Sequence, residues 1–216
     1  GLRRTPRPPH IDRDVDHLLQ THSFETSVHR KSEQKPDLIF LMMESLADIS
    51  EMGIPLVVDP LLQFKQGRDG TAYGHLLVKV IGGNTCDTEF EVLTGIAIGD
   101  RGVAAQPFMG NMNASVYSLA HALRRHDYHA TAVHPFHRWF YNRDRVYRRL
   151  GIQEFIADES FVGAERLFGK VSDQAFVDKV LTALKPDTPN FIFGVSILGH
   201  GPYLGASAKN FEYLAP

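Results

Sequence analysis

Cysteine is almost absent from this sequence. Its 216 residues include one, Cys86, so no disulfide can form within the chain. That absence suits the cytosol, but many periplasmic proteins also lack disulfides, so the compartment stays open. Long hydrophobic runs are absent as well. The apolar stretches at 38–43 and 191–198 are too short to span a bilayer, and no signal-peptide pattern is visible.

An excess of charge of one sign is also lacking. The chain has 23 basic and 25 acidic residues, for a formal net charge of -2. No broad positive field attracts a phosphate backbone, so we expect no nucleic-acid partner. With 43% hydrophobic and 22% charged residues, the composition is that of an ordinary globular protein. The 11 histidines exceed what such a protein needs and favour polar site chemistry.

The start of the chain differs from the rest. The basic, proline-rich stretch GLRRTPRPPHIDRDV reads as a linker or as a plain disordered tail. The overlapping stretch DRDVDHLLQTHSF has apolar residues at helical spacing. We therefore predict that residues 1–35 form a linker or arm that contains one helix.

Apolar strand candidates alternate with amphipathic helix candidates after residue 35. The predicted strands are KPDLIFLMMES, which we expect to be buried, HLLVKVIGG, HATAVHP and NFIFGVSILGHGPY. The predicted helices are TEFEVLTGI, SVYSLAHALRRHDY and DQAFVDKVLTALKP. This alternation predicts an α/β fold with a mostly parallel central sheet flanked by helices.

Three predicted strands end in a chemically capable residue: Glu44, His134 and His200. Ligand sites in open α/β sheets lie outside the carboxyl ends of the strands, so these side chains are expected to converge. The Glu44 carboxylate either binds a divalent metal ion or caps the loop that follows the strand. His200, in the loop LGHGPY, suits a hydrogen-bond donor or general acid, or else it is a satisfied turn residue.

Thr85 lies where the stretch GGNTCDTEFEVLTG enters a predicted helix. A hydroxyl at a helix N-terminus after a flexible turn is either a nucleophile or a helix N-cap. The cap interpretation leaves the glycine pair and Asn84 unexplained. Asp87 and Glu89 would then lie in the first helical turn as ordinary complements to the helix dipole.

The segment HPFHRWFYNRDRVYRRLG, residues 134–151, concentrates aromatic, histidine and arginine side chains. Its basic residues are confined to one loop and helix. We expect Arg143 to clamp a phosphate with both arms of its guanidinium. The alternatives are nucleic-acid stacking and an exposed helix that buries only Tyr147 and Leu150.

Four segments together resemble a known family: PDLIFLMMES, GGNTCDTEFEVLTG, HPFHRWFYNRDRVYRRLGIQEF and SILGHGPY. They are similar, in order, to the sulfatase-type domain of lipoteichoic acid synthases and related phosphoglycerol transferases of the alkaline phosphatase-like superfamily. The resemblance spans about residues 36–204 and implies that residues 36–216 are the N-terminal portion of such a catalytic domain.

The resemblance implies a role for each matched residue. Thr85 would be the nucleophile and, with Glu44, a ligand of Mn²⁺ or Mg²⁺, with Zn²⁺ as a further candidate. Substrate binding would fall to His134, Tyr141, Arg143 and His200. Relatives usually have tryptophan where this chain has Tyr141. The family completes its metal site with an Asp-His pair in a late DHG motif that these 216 residues lack. The resemblance therefore implies a C-terminally truncated domain that is inactive alone.

For the complete protein, the resemblance implies transfer of a phosphoglycerol-type group from a membrane phospholipid to a glycan or polymer hydroxyl through a covalent phospho-threonine. It also implies a membrane anchor before residue 1 and a catalytic domain outside the cytoplasm. Rival functions are a phosphoethanolamine transferase, a sulfate or phosphate ester hydrolase, and a non-catalytic binding domain with an incomplete metal site. The C/S-x-P-x-R context of common sulfatases is missing at Cys86.

Overall fold

In a computed structural model of the protein, four parallel strands of the described residues form a central sheet. They are β1 (Leu38–Met42), β2 (His129–Val133), β3 (Glu154–Ile156) and β6 (Asn190–Val195). Their order in the sheet is β1-β6-β2-β3, and all three pairings are parallel. Two short strands, β4 (Arg166–Leu167) and β5 (Lys170–Val171), form a separate antiparallel hairpin.

The structure describes residues 35–67, 83–98, 107–109 and 116–202, with the single positions 76, 78, 80 and 112. The chain divides into two units, residues 1–35 and 36–216. The helix predicted in the arm lies outside the described residues. So does most of HLLVKVIGG, and its few described positions are not in a strand.

Five helices are present in the described part of the chain. They are α1 (Leu62–Gln66), α2 (Thr85–Thr94), α3 (Leu119–Arg124), α4 (Arg143–Arg149) and α5 (Asp173–Thr182). Short 3₁₀ turns occur at Ile49–Met52, Pro107–Met109, Phe140–Asn142 and Asp158–Ser160. No helix among these described residues is long and apolar enough to cross a membrane.

The predicted helix SVYSLAHALRRHDY is shorter in the structure than its periodicity implies. It begins at Leu119 because the Ser118 hydroxyl accepts a hydrogen bond from the backbone N–H of His121 and so caps the helix. It ends at Arg124, one turn before the prediction.

The core lies on both faces of β6, whose six residues are all buried. Phe191, Phe193 and Val195 pack with residues of α2 and α4 on one face. Ile192 packs with Phe176 and other side chains of α5 on the opposite face. This two-residue period is that of a strand covered on both sides, as parallel sheets require.

The first strand corrects one prediction. β1 is a parallel strand, as expected, but it is not buried, because Leu38, Ile39, Phe40 and Leu41 remain 37 to 43% exposed. Among the described strands only β6 flanks β1, so β1 lies at one edge of the sheet that these strands form.

Gly194, at the centre of β6, offers a test of this packing. A Cβ at this position would lie 2.8 Å from both Leu41 Cδ2 and Phe176 Cζ. We expect Gly194→Ala to lower the free energy of unfolding by about 1–3 kcal/mol, the usual cost of overpacking a core. Gly201→Ala is the control, since a Cβ there meets nothing within 4 Å. Equal chemical-denaturation midpoints for the two variants would contradict the packing described here.

Candidate active site

Glu44 lies just beyond the carboxyl end of β1 and is 8% exposed. Its backbone N–H donates to the Ser196 hydroxyl, 3.0 Å away, across the adjacent end of β6. A Cβ on Gly199 would lie 2.2 Å from the Glu44 carbonyl oxygen. The loop after β6 therefore packs directly on the Glu44 backbone, and glycine is required at position 199 for this close approach.

Thr85 is the first residue of α2, and Asn84 is its N-cap. The Asn84 side chain makes no capping bond, and its backbone is left-handed, with φ of 60°. The Thr85 hydroxyl instead donates to Glu44 Oε1, 2.7 Å away. The alternative that Thr85 is the N-cap is therefore wrong, and its hydroxyl is directed at the carboxylate that follows β1.

His134 follows β2 and is 1% exposed. Its Nδ1 lies 2.9 Å from the Val195 carbonyl oxygen. A carbonyl only accepts, so Nδ1 carries the proton and Nε2 is left as an acceptor. Burial, together with the charge of Arg143, lowers the pKa of His134 to about 4. At neutral pH this imidazole is uncharged and presents a lone pair.

Arg143 begins α4, and the edge of its guanidinium formed by Nε and Nη2 pairs with a carboxylate of the protein. Its Nε and Nη2 face the Glu89 carboxylate, and the shortest contact is 2.6 Å, from Nη2 to Oε1. Glu89 is completely buried and pairs with Arg143, whereas Asp87 is the acidic residue in the first turn of α2. Arg143 Nη1 is buried and has no hydrogen-bond partner among the described residues.

Tyr141 and Asn142 precede Arg143 in the left-handed region, with φ of 56° and 53°. Ser45, directly after Glu44, and Asn84, directly before Thr85, share this conformation, with φ of 59° and 60°. A left-handed backbone is unfavourable for residues other than glycine and concentrates at functional sites. Each of the residues Glu44, Thr85 and Arg143 therefore has a strained neighbour.

One cavity of about 400 Å³ brings most of the predicted residues together. Glu44, His134, Tyr141, Arg143 and the exposed His200 all line it, and Thr85 joins through its bond to Glu44. Sequence reasoning missed a second set of lining residues: Phe136, Phe140, Phe168, Lys170, Ile197 and Pro202. Phe136 and Phe140 lie in the aromatic segment 134–151. No sequence pattern indicated that the β4–β5 hairpin would line the cavity.

Glu44 and Thr85 suit part of a metal site. Their oxygens lie 2.7 Å apart, and carboxylate and hydroxyl oxygens are hard donors that match Mg²⁺ or Mn²⁺. Within the described ranges, no group of three or more histidine, cysteine or acidic side chains is arranged to hold a metal ion. The described residues therefore fit a divalent cation as a partial ligand set.

Cys86 neighbours the candidate nucleophile but is unsuited to that role. It is 1% exposed, and burial, followed by the charges of Glu89 and Asp87, raises the pKa of its thiol to about 12. A thiol with that pKa is not ionised at neutral pH, and the thiolate is the nucleophilic form. The hydroxyl of Thr85, not the adjacent thiol, is the accessible group.

Comparison with known proteins identifies the family. A family model described as Sulfatase matches residues 36–213. The chain belongs to the sulfatase family. The sulfatase-type resemblance inferred from the sequence is thereby confirmed, and residues outside the four quoted motifs fall within the same match.

Relatives and solved structures of this sulfatase-family chain are longer than it is. A Rhizobium meliloti (strain 1021) protein, provisionally named as a cyclic beta-1,2-glucan modification protein, is 31% identical over 171 residues. That alignment covers 78% of this chain and 26% of the relative. The chain thus spans about a quarter of that relative and less than half of the two solved structures compared with it.

Two solved structures share the fold. One is the Streptococcus pyogenes phosphoglycerol transferase GacH in complex with sn-glycerol-1-phosphate, with a TM-score of 0.69 and 21% identity over 82% of this chain and 47% of its own. The lipoteichoic acid synthase LtaP of Listeria monocytogenes has a TM-score of 0.63 and 21% identity over 77% and 41%, respectively. The predicted α/β fold is confirmed.

His134 gives this site a pH signature. Its pKa falls from an ordinary 6.5 to about 4 on folding, so the unfolded chain binds the proton more tightly. Its contribution to stability is complete above pH 6.5 and is lost as pH falls toward 4, by about 3 kcal/mol in total. We expect His134→Gln to lack this part of the pH dependence in denaturation curves between pH 7 and 4. The exposed His126→Gln should retain it, and parallel curves for wild type and His134→Gln would contradict the assignment.

Proposed function

We propose that this sulfatase-family domain transfers a phosphoglycerol-type group from a membrane phospholipid to a hydroxyl of a glycan or polymer. The observation that carries the proposal is the 2.7 Å hydrogen bond from the Thr85 hydroxyl to Glu44 beside a cavity lined by Arg143. The transferase activity named for GacH and the glucan modification named for the Rhizobium relative support a phosphoglycerol donor and a glycan acceptor.

The first step forms a covalent intermediate on Thr85. Its Oγ1 attacks the donor phosphorus, and its proton leaves along the existing hydrogen bond toward Glu44 Oε1. The bond between phosphorus and the diacylglycerol oxygen breaks, and the departing alcohol takes a proton from His200. The phosphoglycerol group then remains attached to Thr85 as a phosphodiester.

The second step releases that group to the acceptor. His200, now deprotonated, takes the proton of an acceptor hydroxyl, whose oxygen attacks the same phosphorus. The bond between phosphorus and Thr85 Oγ1 breaks, and Glu44 returns the proton to the threonine. A glycan or polymer hydroxyl therefore ends the cycle with a phosphoglycerol substituent, and the side chains regain their starting protonation states.

Two buried residues orient the group during both steps. His134 offers Nε2 as an acceptor, because Nδ1–H is committed to the Val195 carbonyl, so it suits a glycerol hydroxyl rather than a phosphate oxygen. Arg143 offers Nη1 to a non-bridging phosphate oxygen. Tyr141, whose ring lies 5.2 Å from the Arg143 guanidinium carbon, covers this cation within the cavity.

Glu44 and Thr85 would hold a divalent cation. Their oxygen donors favour Mn²⁺ or Mg²⁺, and a histidine added to the ligand set would also suit Zn²⁺. When bound, the cation would supply positive charge that stabilises the ionised threonine and the phosphoryl oxygens. A phospholipid donor also implies that the transfer reaction takes place at the membrane surface. We propose an extracytoplasmic catalytic domain attached to the cell membrane by an N-terminal anchor.

Thr85→Ala tests the nucleophile in the full-length protein. We expect phosphoglycerol transfer to fall by at least about 1000-fold, since Thr85 is the described residue whose hydroxyl donates to the Glu44 carboxylate. Stability should change by about 1 kcal/mol or less, because the helix cap is Asn84. Thr88→Ala in the same helix is the matched control. A phosphoglyceryl adduct on Thr85, found by mass spectrometry, would support the intermediate, and wild-type turnover by Thr85→Ala would exclude it.

Glu44→Gln tests the metal assignment. An amide oxygen is a weaker, uncharged ligand, so we expect Mn²⁺ affinity of the full-length protein to fall by about 10- to 100-fold or more in calorimetric titration. Glu51→Gln, in the turn that follows β1, should leave the titration unchanged because Glu51 lies outside the cavity. Identical Mn²⁺ isotherms for wild type and Glu44→Gln would remove Glu44 from the ligand set.

A further inference from the structure

An aromatic surface runs from the cavity to the outside of the protein. Phe136 and Phe140 line the cavity, and their rings meet edge to face with centroids 5.1 Å apart. Trp139 packs against Phe140, with ring centroids 6.1 Å apart, yet it remains 70% exposed. His137 completes the set, and we call these four residues the aromatic platform.

One face of the Trp139 indole is available to a ligand. His137 stacks against the indole with ring centroids 5.4 Å apart and an angle of 9° between the planes. His137 in turn contacts Phe136, at 4.7 Å between ring centroids. Because His137 covers one face and most of Trp139 is exposed, a flat ligand can approach the opposite face. The indole is therefore supported from behind and open in front.

Arg138 fixes the loop that carries the platform. Its Nε donates to Glu159 Oε1 at 2.7 Å, and its Nη2 donates to the Phe155 carbonyl oxygen, also at 2.7 Å. Its guanidinium carbon lies 4.9 Å from the centroid of the Phe155 ring. These contacts tie the loop to β3 and to the turn that follows it. A platform ordered before binding loses little conformational entropy when a ligand arrives.

The charges around the platform suit a sugar better than a lipid chain. Arg138 Nη1 lies 3.7 Å from Asp144 Oδ1, so the arginine beside Trp139 faces two carboxylates, those of Asp144 and Glu159. A surface that binds membranes needs a continuous apolar area and basic groups available to anionic lipids. A sugar ring instead offers partly positive C–H groups to the negative face of an indole and hydroxyls to neighbouring charged side chains.

The cavity also has more apolar lining than the transferred group requires. Its volume is about 400 Å³, and Phe168 and Ile197 line it together with the two platform phenylalanines. Cavities of this size accept drug-sized ligands, whereas a phosphoglycerol group is small and polar. The aromatic lining is therefore available to the second substrate, the acceptor.

We propose that the aromatic platform is the acceptor subsite, where Trp139 stacks on a sugar ring of a glycan while a hydroxyl of that glycan enters the cavity. This rests on the proposed function, because it assigns a binding place to the acceptor of the second step. It also narrows the acceptor to a glycan. A polymer without rings offers no flat face to the indole.

Competing acceptors in the full-length protein test the proposal. The donor is phosphatidylglycerol in vesicles, and the acceptors are a β-glucan oligosaccharide and free glycerol, which has no ring to stack. We expect Trp139→Ala to lower the ratio of kcat/KM for the glucan to that for glycerol by about tenfold, as for loss of one stacked ring. Both acceptors use the same donor, so any effect on donor binding cancels in this ratio.

Two further substitutions separate stacking from general hydrophobic contact. Trp139→Phe keeps a flat ring, so the ratio should stay within about threefold of the wild-type ratio. Trp139→Leu keeps an apolar side chain without a ring, so the ratio should fall as far as in Trp139→Ala. The control is Tyr117→Ala, which removes a second aromatic–histidine stack, with His121, and should leave the ratio unchanged because Tyr117 does not line the cavity.

Tryptophan fluorescence provides a readout that needs no turnover. Trp139 is the single tryptophan of the 216 residues, and the emission of the wild type minus that of Trp139→Phe isolates its signal in the full-length protein. We expect this difference signal to change on titration with the β-glucan oligosaccharide and to stay constant with glycerol.

Three results would overturn the proposal. The first is an unchanged ratio in Trp139→Ala, which includes an equal fall for both acceptors and would assign Trp139 to the donor or the membrane. The second is a Trp139→Leu protein that keeps the wild-type ratio, since hydrocarbon contact needs no ring. The third is a difference fluorescence that does not respond to the glucan. A wild type that transfers nothing to either acceptor would refute the proposed function instead, and the fluorescence titration would still decide the role of Trp139.

Discussion

The parallel register of three strands is the constraint on which the site depends. β6 lies between β1 and β2, with Met42 beside Val195 and Val133 beside Gly194. Because all three strands run in one direction, the residues that follow them emerge at the same edge. Glu44, His134 and the loop with His200 meet there. The hydrogen bonds from Glu44 N–H to Ser196 and from His134 to Val195 then fix their orientation across the strands.

The helices add the second half of the site to this edge. α2 begins at Thr85 and directs its hydroxyl at Glu44, whereas its buried face carries Glu89 toward α4. α4 in turn contributes Arg143 and Tyr147 to the same carboxylate. A buried ion pair is costly to desolvate, and replacing it with apolar residues is often neutral for stability. Its presence beneath a cavity therefore favours a role in function, where a fixed guanidinium is needed.

Strain is distributed around these functional residues. Ser45, Asn84, Tyr141 and Asn142 have left-handed backbones, each at a cost of roughly 1–2 kcal/mol for a residue other than glycine. The surrounding structure compensates through specific bonds. The Asn142 side chain, for example, donates to the Phe108 carbonyl oxygen at 2.9 Å. Rigid turns of this kind hold side chains within the tight tolerances that phosphoryl transfer requires.

The sequence by itself determined the fold class and most of the candidate site. Apolar runs that alternate with amphipathic segments predict a parallel α/β sheet, and polar residues at strand ends predict a shared edge. Strand ends selected Glu44, His134 and His200, and local motifs selected Thr85 and Arg143. Tyr141 was selected through the family resemblance alone. The start of α2 was also predictable, because a glycine-rich turn precedes it.

Only the tertiary structure shows which buried polar side chains form hydrogen bonds and ion pairs with one another. Glu89 and Arg143 are 54 residues apart, so no local pattern could show that these two side chains would pair. The exposure of β1 was likewise undetermined, because its apolar sequence does not reveal that a single described strand flanks it. The β4–β5 hairpin reaches the cavity through long-range packing. The burial of a side chain and its pairing depend on residues that are distant in the sequence. Local sequence patterns therefore do not reveal them.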